Sequence, residues 1–107
     1  MNEGIMGLDM QWEDEWGKPF AAFPDTRGVF ASILATRPLD HTICLRFIDD
    51  YGDTVFNWLQ VPVLVAELQA LIVPECAPEA NDRLAAMIEF IQAMPQDKGA
   101  YLKFYGD

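Results

Sequence analysis

Serine, cysteine and histidine, which serve as nucleophiles, catalytic bases and zinc ligands, are scarce in this sequence, with one histidine, one serine and two cysteines. No G-x-S-x-G turn surrounds Ser32, and no glycine-rich phosphate loop occurs. A Cys44–His41 pair on one strand would point its side chains to opposite faces, because their spacing is odd. His41, Cys44 and Cys76 lack the second close pair of ligands that a zinc site needs. We therefore predict no catalytic residue, no metal and no cofactor, and expect that the chain is not an enzyme.

Positive charge is also scarce, since seven Lys and Arg face 17 Asp and Glu, for a net charge of −10. Nucleic acid backbones and anionic membranes both attract a cationic surface, so we predict that this chain binds neither. The acidic run 49–53 lacks the calcium-loop pattern and is better interpreted as a turn. The charge itself has two interpretations, which are solubility alone or attraction to a basic partner.

Long hydrophobic runs are missing as well. The longest, residues 61–73, is interrupted by Pro62, Glu67 and Gln69 and falls short of the ~20 residues of a membrane span. The first residues lack the cationic start and apolar stretch of a signal peptide. Two distant cysteines do not form a disulfide framework. We therefore expect a cytoplasmic protein with both thiols reduced.

Apolar material, in contrast, is plentiful, because hydrophobic residues make up 51% of the chain. A disordered chain lacks this content. The length of 107 residues fits one domain, and no linker or repeat interrupts it. We predict a single domain over residues 1–107.

Period-two alternation predicts strands at residues 5–12 and 101–105, with a short return strand at 19–23. Residues 43–48 and 54–58 are rich in β-branched and aromatic types and surround a turn that contains a glycine. This pattern predicts a β-hairpin.

Apolar residues at helical spacing predict helices at about 26–36, from Pro62 to about 72, and at about 79–94. Asp25 is a candidate N-cap for the first, and Pro95 ends the third. The element order favours an α+β fold, with a mostly antiparallel sheet of about four strands and about three helices on one face. The predicted core residues are Leu8, Met10, Leu45, Phe47, Leu68, Leu71, Ile88, Ile91, Leu102 and Phe104.

The sheet face that points away from the helices is a candidate contact surface. If Leu45 and Phe47 face the helices, strand parity places Cys44, Arg46 and Ile48 outside. Tyrosine and arginine are enriched in interfaces, although an ordinary solvated face would also carry them. The candidate protein-contact residues are Arg46, Trp58, Tyr101, Lys103 and Tyr105.

A segment of the chain resembles one found in small acidic bacterial proteins without an assigned function. It comprises residues 45–49 (LRFID), 51–57 (YGDTVFN) and 59–60 (LQ), and residues 102–104 and 106–107 extend the pattern. The resemblance implies a bacterial origin and a single small α+β domain. It brings no catalytic or binding residues with it.

These observations lead to the hypothesis of a non-catalytic protein-interaction module, such as an immunity or inhibitor-like protein that binds a basic partner. Two alternatives stay open. One is a structural or accessory homodimer joined through the outer sheet face or an edge strand. The other is a small-molecule-binding domain with a pocket between sheet and helices.

Overall fold

The computed structural model describes residues 7–94 and 99–106. Over these residues the chain forms four strands and three α-helices. The strands are β1 (Asp9–Glu13), β2 (Pro19–Phe23), β3 (Asp53–Phe56) and β4 (Tyr101–Tyr105), and the helices are α1 (Val29–Thr36), α2 (Val61–Ala70) and α3 (Pro78–Gln92). Short 3₁₀ turns lie at Thr26–Gly28 and Leu45–Phe47. The predicted residues 5 and 6 of the first strand, and Pro95, lie outside the described residues.

The sheet is antiparallel throughout, with strand order β2-β1-β4-β3. Alternate residues of β1 and β4 are buried against the helices, which confirms the predicted parity of these two strands. The opposite face of the sheet carries the remaining alternate side chains and is called the outer face below. The predicted α+β fold, with helices on one face of an antiparallel sheet, is therefore confirmed.

The first helix is held by a buried aspartate, although the residue at the N-cap position of α1 is Gly28 and not the predicted Asp25. Asp25 accepts hydrogen bonds from the backbone N–H groups of Phe30 and Ala31, at 2.8 and 3.0 Å. It also accepts from Leu8 N–H at 3.1 Å and pairs with Arg83 at 2.9 Å. One carboxylate thus joins the start of β1, the start of α1 and the side of α3.

The predicted hairpin of residues 43–48 with 54–58 is wrong. Residues 45–47 form a 3₁₀ turn, and β3 pairs with β4 instead. The reason is tertiary, because the carboxylate of Glu67 on α2 accepts the N–H groups of Ile43, Cys44 and Leu45 at 2.6–3.0 Å. These donors are thereby unavailable to a neighbouring strand, and local β propensity is overridden.

The same error misplaces one predicted core residue. In the 3₁₀ turn, side chains three apart share a side, so Leu45 and Ile48 are buried while Phe47 is 63% exposed. Cys44 and Ile48, both predicted to face outward, are buried instead. The other predicted core residues, from Leu8 to Phe104, are all buried.

Candidate protein-interaction surface

The structure brings three of the five predicted contact residues together. Tyr101, Lys103 and Tyr105 alternate along β4 on the outer face, where the parity placed them. Arg46 does not join them, since it lies in the 3₁₀ turn with its guanidinium 4.9 Å from the centre of the Phe47 ring. Trp58 lies in the turn between β3 and α2. The five predicted contact residues therefore do not share one surface.

On the outer face, polar groups are hydrogen-bonded mainly to one another. Gln11 Nε2 donates to Tyr105 Oη at 2.9 Å and to Glu13 Oε2 at 2.6 Å, and the Tyr105 hydroxyl also donates to the Glu13 carboxylate. Lys103 Nζ lies 3.4 Å from Asp53 Oδ2 and 4.6 Å from the centre of the Tyr105 ring. This face offers a partner few polar groups that lack a bond already.

The pKa values on this face reflect the same contacts. The pKa of Tyr105 is raised, first by its hydrogen bond to Glu13 and then by burial. The pKa of Lys103 is raised by its hydrogen bond with Tyr105 and by the negative charges of Glu13 and Asp53, against the opposing effect of burial. Both groups therefore keep their protons at neutral pH, and the network stays intact there.

A second region beside β3 is apolar and open. A groove of about 540 Å³ runs along this edge of the sheet, between β3, the turn at 43–47 and the start of α2. Four large apolar side chains in its lining are more than half exposed, at 51–66% of their surface. We call this region the β3 groove, and its principal lining residues are Ile43, Phe47, Val55, Leu59 and Val63.

The walls of the β3 groove are held by side-chain caps. Asn57 Oδ1 accepts from the N–H groups of Leu59 and Gln60, both at 3.0 Å, and Gln60 Oε1 accepts from Asn57 N–H at 2.9 Å. This reciprocal pairing is a capping box ahead of α2. On the opposite wall, Glu67 fixes the backbone of residues 43–45. The exposed apolar side chains therefore project from ordered backbone.

The Glu67 carboxylate is ionised where it performs this task. Burial opposes its charge, but the N–H donors of Ile43, Leu45 and Cys44 and the nearby His41 outweigh burial, so the pKa of Glu67 is lowered. The adjacent Cys44 thiol shows the opposite direction, since burial and the charge of Glu67 raise its pKa. A raised pKa disfavours the thiolate, so Cys44 is poorly suited to act as a nucleophile.

β3 is an edge strand with outward-facing backbone groups. Gly106 N–H donates to Gly52 C=O at 2.7 Å, so the register places these opposite residues at a hydrogen-bonding position of the ladder, although Gly52 N–H donates to Asp49 C=O. Because the pattern alternates, Asp53 and Val55 direct their N–H and C=O groups away from β4. Within residues 7–94 and 99–106, no hydrogen bond from another segment reaches these outward groups.

A further cleft of about 480 Å³ lies between α1 and the segment leading into α3. Its two arginines are engaged by the chain itself. Arg27 pairs with Glu79, and Arg37 donates to Leu71 C=O and to the Cys76 sulfur. This cleft therefore presents no free cation to a ligand.

Two further features of the described residues bear on other functions. No group of three or more His, Cys, Asp or Glu side chains among them is placed to hold a metal ion. Among the helices in the described part of the chain, none combines the length and the apolarity needed to cross a bilayer.

Sequence reasoning missed most of the β3 groove. Phe47 was assigned to the core, and Ile43 to a strand, because the 3₁₀ turn was not foreseen. The Asn57-x-x-Gln60 spacing before Pro62 is the one local signal that points to the ordered turn carrying Leu59. No protein-family model, no curated protein and no solved structure matches this chain.

Proposed function

We propose that this chain is a non-catalytic interaction module that binds a basic protein through the β3 groove. The observation that carries the proposal is the concentration of exposed apolar side chains at one place in a chain of net charge −10. Ile43, Phe47, Val55 and Leu59 account for half of the large hydrophobic side chains exposed among the described residues. Contiguous exposed apolar patches of this kind mark contact sites in soluble proteins.

Charge determines which partner fits. Asp49 and Asp53 flank the groove where it meets β3, since Asp49 N–H donates to Thr54 Oγ1 at 2.9 Å. An acidic surface around an apolar centre speeds the encounter with a basic protein and disfavours an acidic one. An immunity or inhibitor-like protein that masks a basic bacterial effector in the cytoplasm is the form of this function that we favour.

Binding tests this proposal directly. The wild-type chain is immobilised beside two double variants, Phe47→Ser with Leu59→Ser in the groove and Trp16→Ser with Phe20→Ser at the opposite edge. A lysate of the source organism is passed over all three, and bound protein is eluted in salt steps and identified by mass spectrometry. We expect one basic protein at about one-to-one stoichiometry, released by moderate salt, retained by the opposite-edge variant and lost from the groove variant.

Two results would overturn the proposal. One is the absence of any stoichiometric partner, and the other is equal retention by both variants. Light scattering on the purified chain provides the remaining test. A monomer is expected, whereas a dimer at micromolar concentration that Phe47→Ser dissociates would favour the homodimer over the module.

A further inference from the structure

The two edges of the sheet differ in their capacity to accept another strand. At the β2 edge, the strand begins at Pro19 and is followed by Pro24. Proline has no N–H to donate, and proline on an edge strand protects it from pairing. The β3 edge, Asp53–Phe56, has no proline, and its outward N–H and C=O groups come from Asp53 and Val55.

The β3 groove lies where the side chains of an added strand would go. A strand paired with β3 alternates its side chains between the two faces of the sheet. On the helix-facing side they meet the groove, whose lining includes Phe56 and Val63. On the outer side they meet Val55 and Asp53, which share this face with Lys103 and Tyr105. The Asp53 side chain is 54% exposed, and its carboxylate lies 3.4 Å from Lys103 Nζ.

We propose that β3 accepts an extended segment of the basic partner as a fifth strand. Apolar side chains of one parity fill the β3 groove, and basic side chains of the other parity lie beside Asp53. This mode of binding rests on the proposed function, and it specifies the partner segment as one that alternates apolar and basic residues. Backbone hydrogen bonds supply affinity in such pairing, and the alternate side chains supply specificity.

Charge favours a basic partner over a second copy of the chain at this edge. Two copies paired through β3 would bring together two molecules of net charge −10, each with Asp49 and Asp53 beside the seam. Like charges close to an interface oppose association. A lysine or arginine on the added strand instead meets the Asp53 carboxylate, which it shares with Lys103.

The first test uses a defined probe, the acetylated and amidated hexapeptide Val-Lys-Val-Lys-Val-Lys, added to isotope-labelled protein and followed by NMR. We expect resonance changes confined to β3 and residues 43–59, and at least tenfold slower hydrogen exchange at the Val55 amide. Phe47→Ser should weaken binding at least tenfold, whereas Phe20→Ser should leave it unchanged. Changes centred on β2, or no binding of the peptide at all, would contradict strand addition.

Backbone pairing is separated from side-chain docking by two control peptides, N-methylated at every valine or at every lysine. Only alternate residues of an added strand direct their N–H groups at β3, so one control peptide should lose binding and the other should retain it. Equal binding of the two would overturn the strand model. Val55→Pro, which removes an outward N–H, should weaken binding of the parent peptide. The dispersion of the amide resonances checks that this variant is folded.

The captured partner distinguishes this inference from the proposed function. If a basic protein binds through the groove but leaves Val55 exchange unchanged, strand addition is wrong and the interaction module stands. If no partner is captured, the proposed function is wrong, whatever the peptide does. Protection of Val55 that appears in the free protein and grows with its concentration would show that a second copy occupies the edge, contrary to the proposal.

Discussion

Asp25 and Glu67 perform the same task on the β2 side and the β3 side of the sheet, in different surroundings. Each carboxylate accepts three backbone N–H groups. The Asp25 side chain is 1% exposed, and the charge of Arg83 balances its own, so it connects β1, α1 and α3 in the interior. Glu67 is only partly buried, has no arginine partner in the described part of the chain, and fixes a surface turn beside an open groove.

The difference shows that the same set of hydrogen bonds has different consequences in a buried and in an exposed setting. Asp25 is buried, so water cannot replace a hydrogen bond that is lost there. An unpaired buried charge or donor lowers the stability of the fold. Around Glu67, the ordered backbone holds the side chains of Ile43 and Phe47 in solvent. This exposure does not stabilise the isolated folded chain. Asp25 therefore joins buried elements of the fold, whereas Glu67 orders a turn whose apolar side chains are exposed.

The largest effect should come from breaking the buried carboxylate. Asp25→Ala orphans three N–H groups and leaves the Arg83 guanidinium without its partner. Breaking a buried charge pair in this way costs about 3–5 kcal/mol of the free energy of unfolding. Urea unfolding measures the change, and Asp25→Asn, which keeps one acceptor oxygen, should lose less.

Asp9→Ala is the matched control for that experiment. The exposed Asp9 accepts a single backbone hydrogen bond, from Asp25 N–H at 2.8 Å, so its loss should cost about 1 kcal/mol. If Asp25→Ala lowers the free energy of unfolding no more than Asp9→Ala does, the Asp25 carboxylate does not stabilise the contact between β1, α1 and α3.

A smaller effect with a defined pH dependence is expected at Glu67. Glu67→Gln leaves one neutral acceptor for three donors and should cost about 1–2 kcal/mol at neutral pH. Because the pKa of Glu67 is lower folded than unfolded, its stabilisation is present above the unfolded pKa and disappears as the pH falls through the folded pKa. The difference between wild type and Glu67→Gln in urea unfolding should therefore shrink below about pH 4.

The exposed Glu89 on α3 provides the comparison for that pH series. Glu89→Gln should change the free energy of unfolding by less than about 0.5 kcal/mol across the series. A Glu67→Gln difference that stays constant with pH would show that shape, and not charge, holds the turn at residues 43–45.

Local pattern was sufficient for most of the fold. The alternation in β1 and β4 and the apolar stripes of α2 and α3 reflect contacts with one continuous core, so the periods in the sequence match the structure. The N-cap prediction for Asp25 has the wrong position, since Gly28 is the N-cap residue of α1, but Asp25 does accept two N–H groups of its first turn. No local signal indicates the partner Arg83, which lies 58 residues away.

The candidate surface was less predictable, because it depends on a distant residue. Glu67 lies more than 20 residues from the N–H groups it accepts, so the β-rich run 43–48 carried no sign of its 3₁₀ turn. Parity taken from that wrong strand then grouped Arg46 with Tyr101 and Tyr105. Phe47 lines the β3 groove because its side chain turns outward, and that orientation follows from the tertiary contact.

The smallest effect on stability should come from the groove itself. Phe47→Ser removes a ring that is 63% exposed, so the free energy of unfolding should change by less than about 0.5 kcal/mol. Leu45→Ser, two residues earlier in the same turn, places a hydroxyl where a buried leucine packs and should cost about 3 kcal/mol or more. Urea unfolding of the two variants measures both values.

A Phe47→Ser loss close to that of Leu45→Ser would mean that the ring supports the fold, and the contrast between the two sides of the sheet would disappear. Equal stability of Phe47→Ser and wild type would instead leave the exposed ring without a role in folding. A large apolar side chain held on ordered backbone by Glu67, yet contributing nothing to the folded state, is what a surface kept for a partner requires.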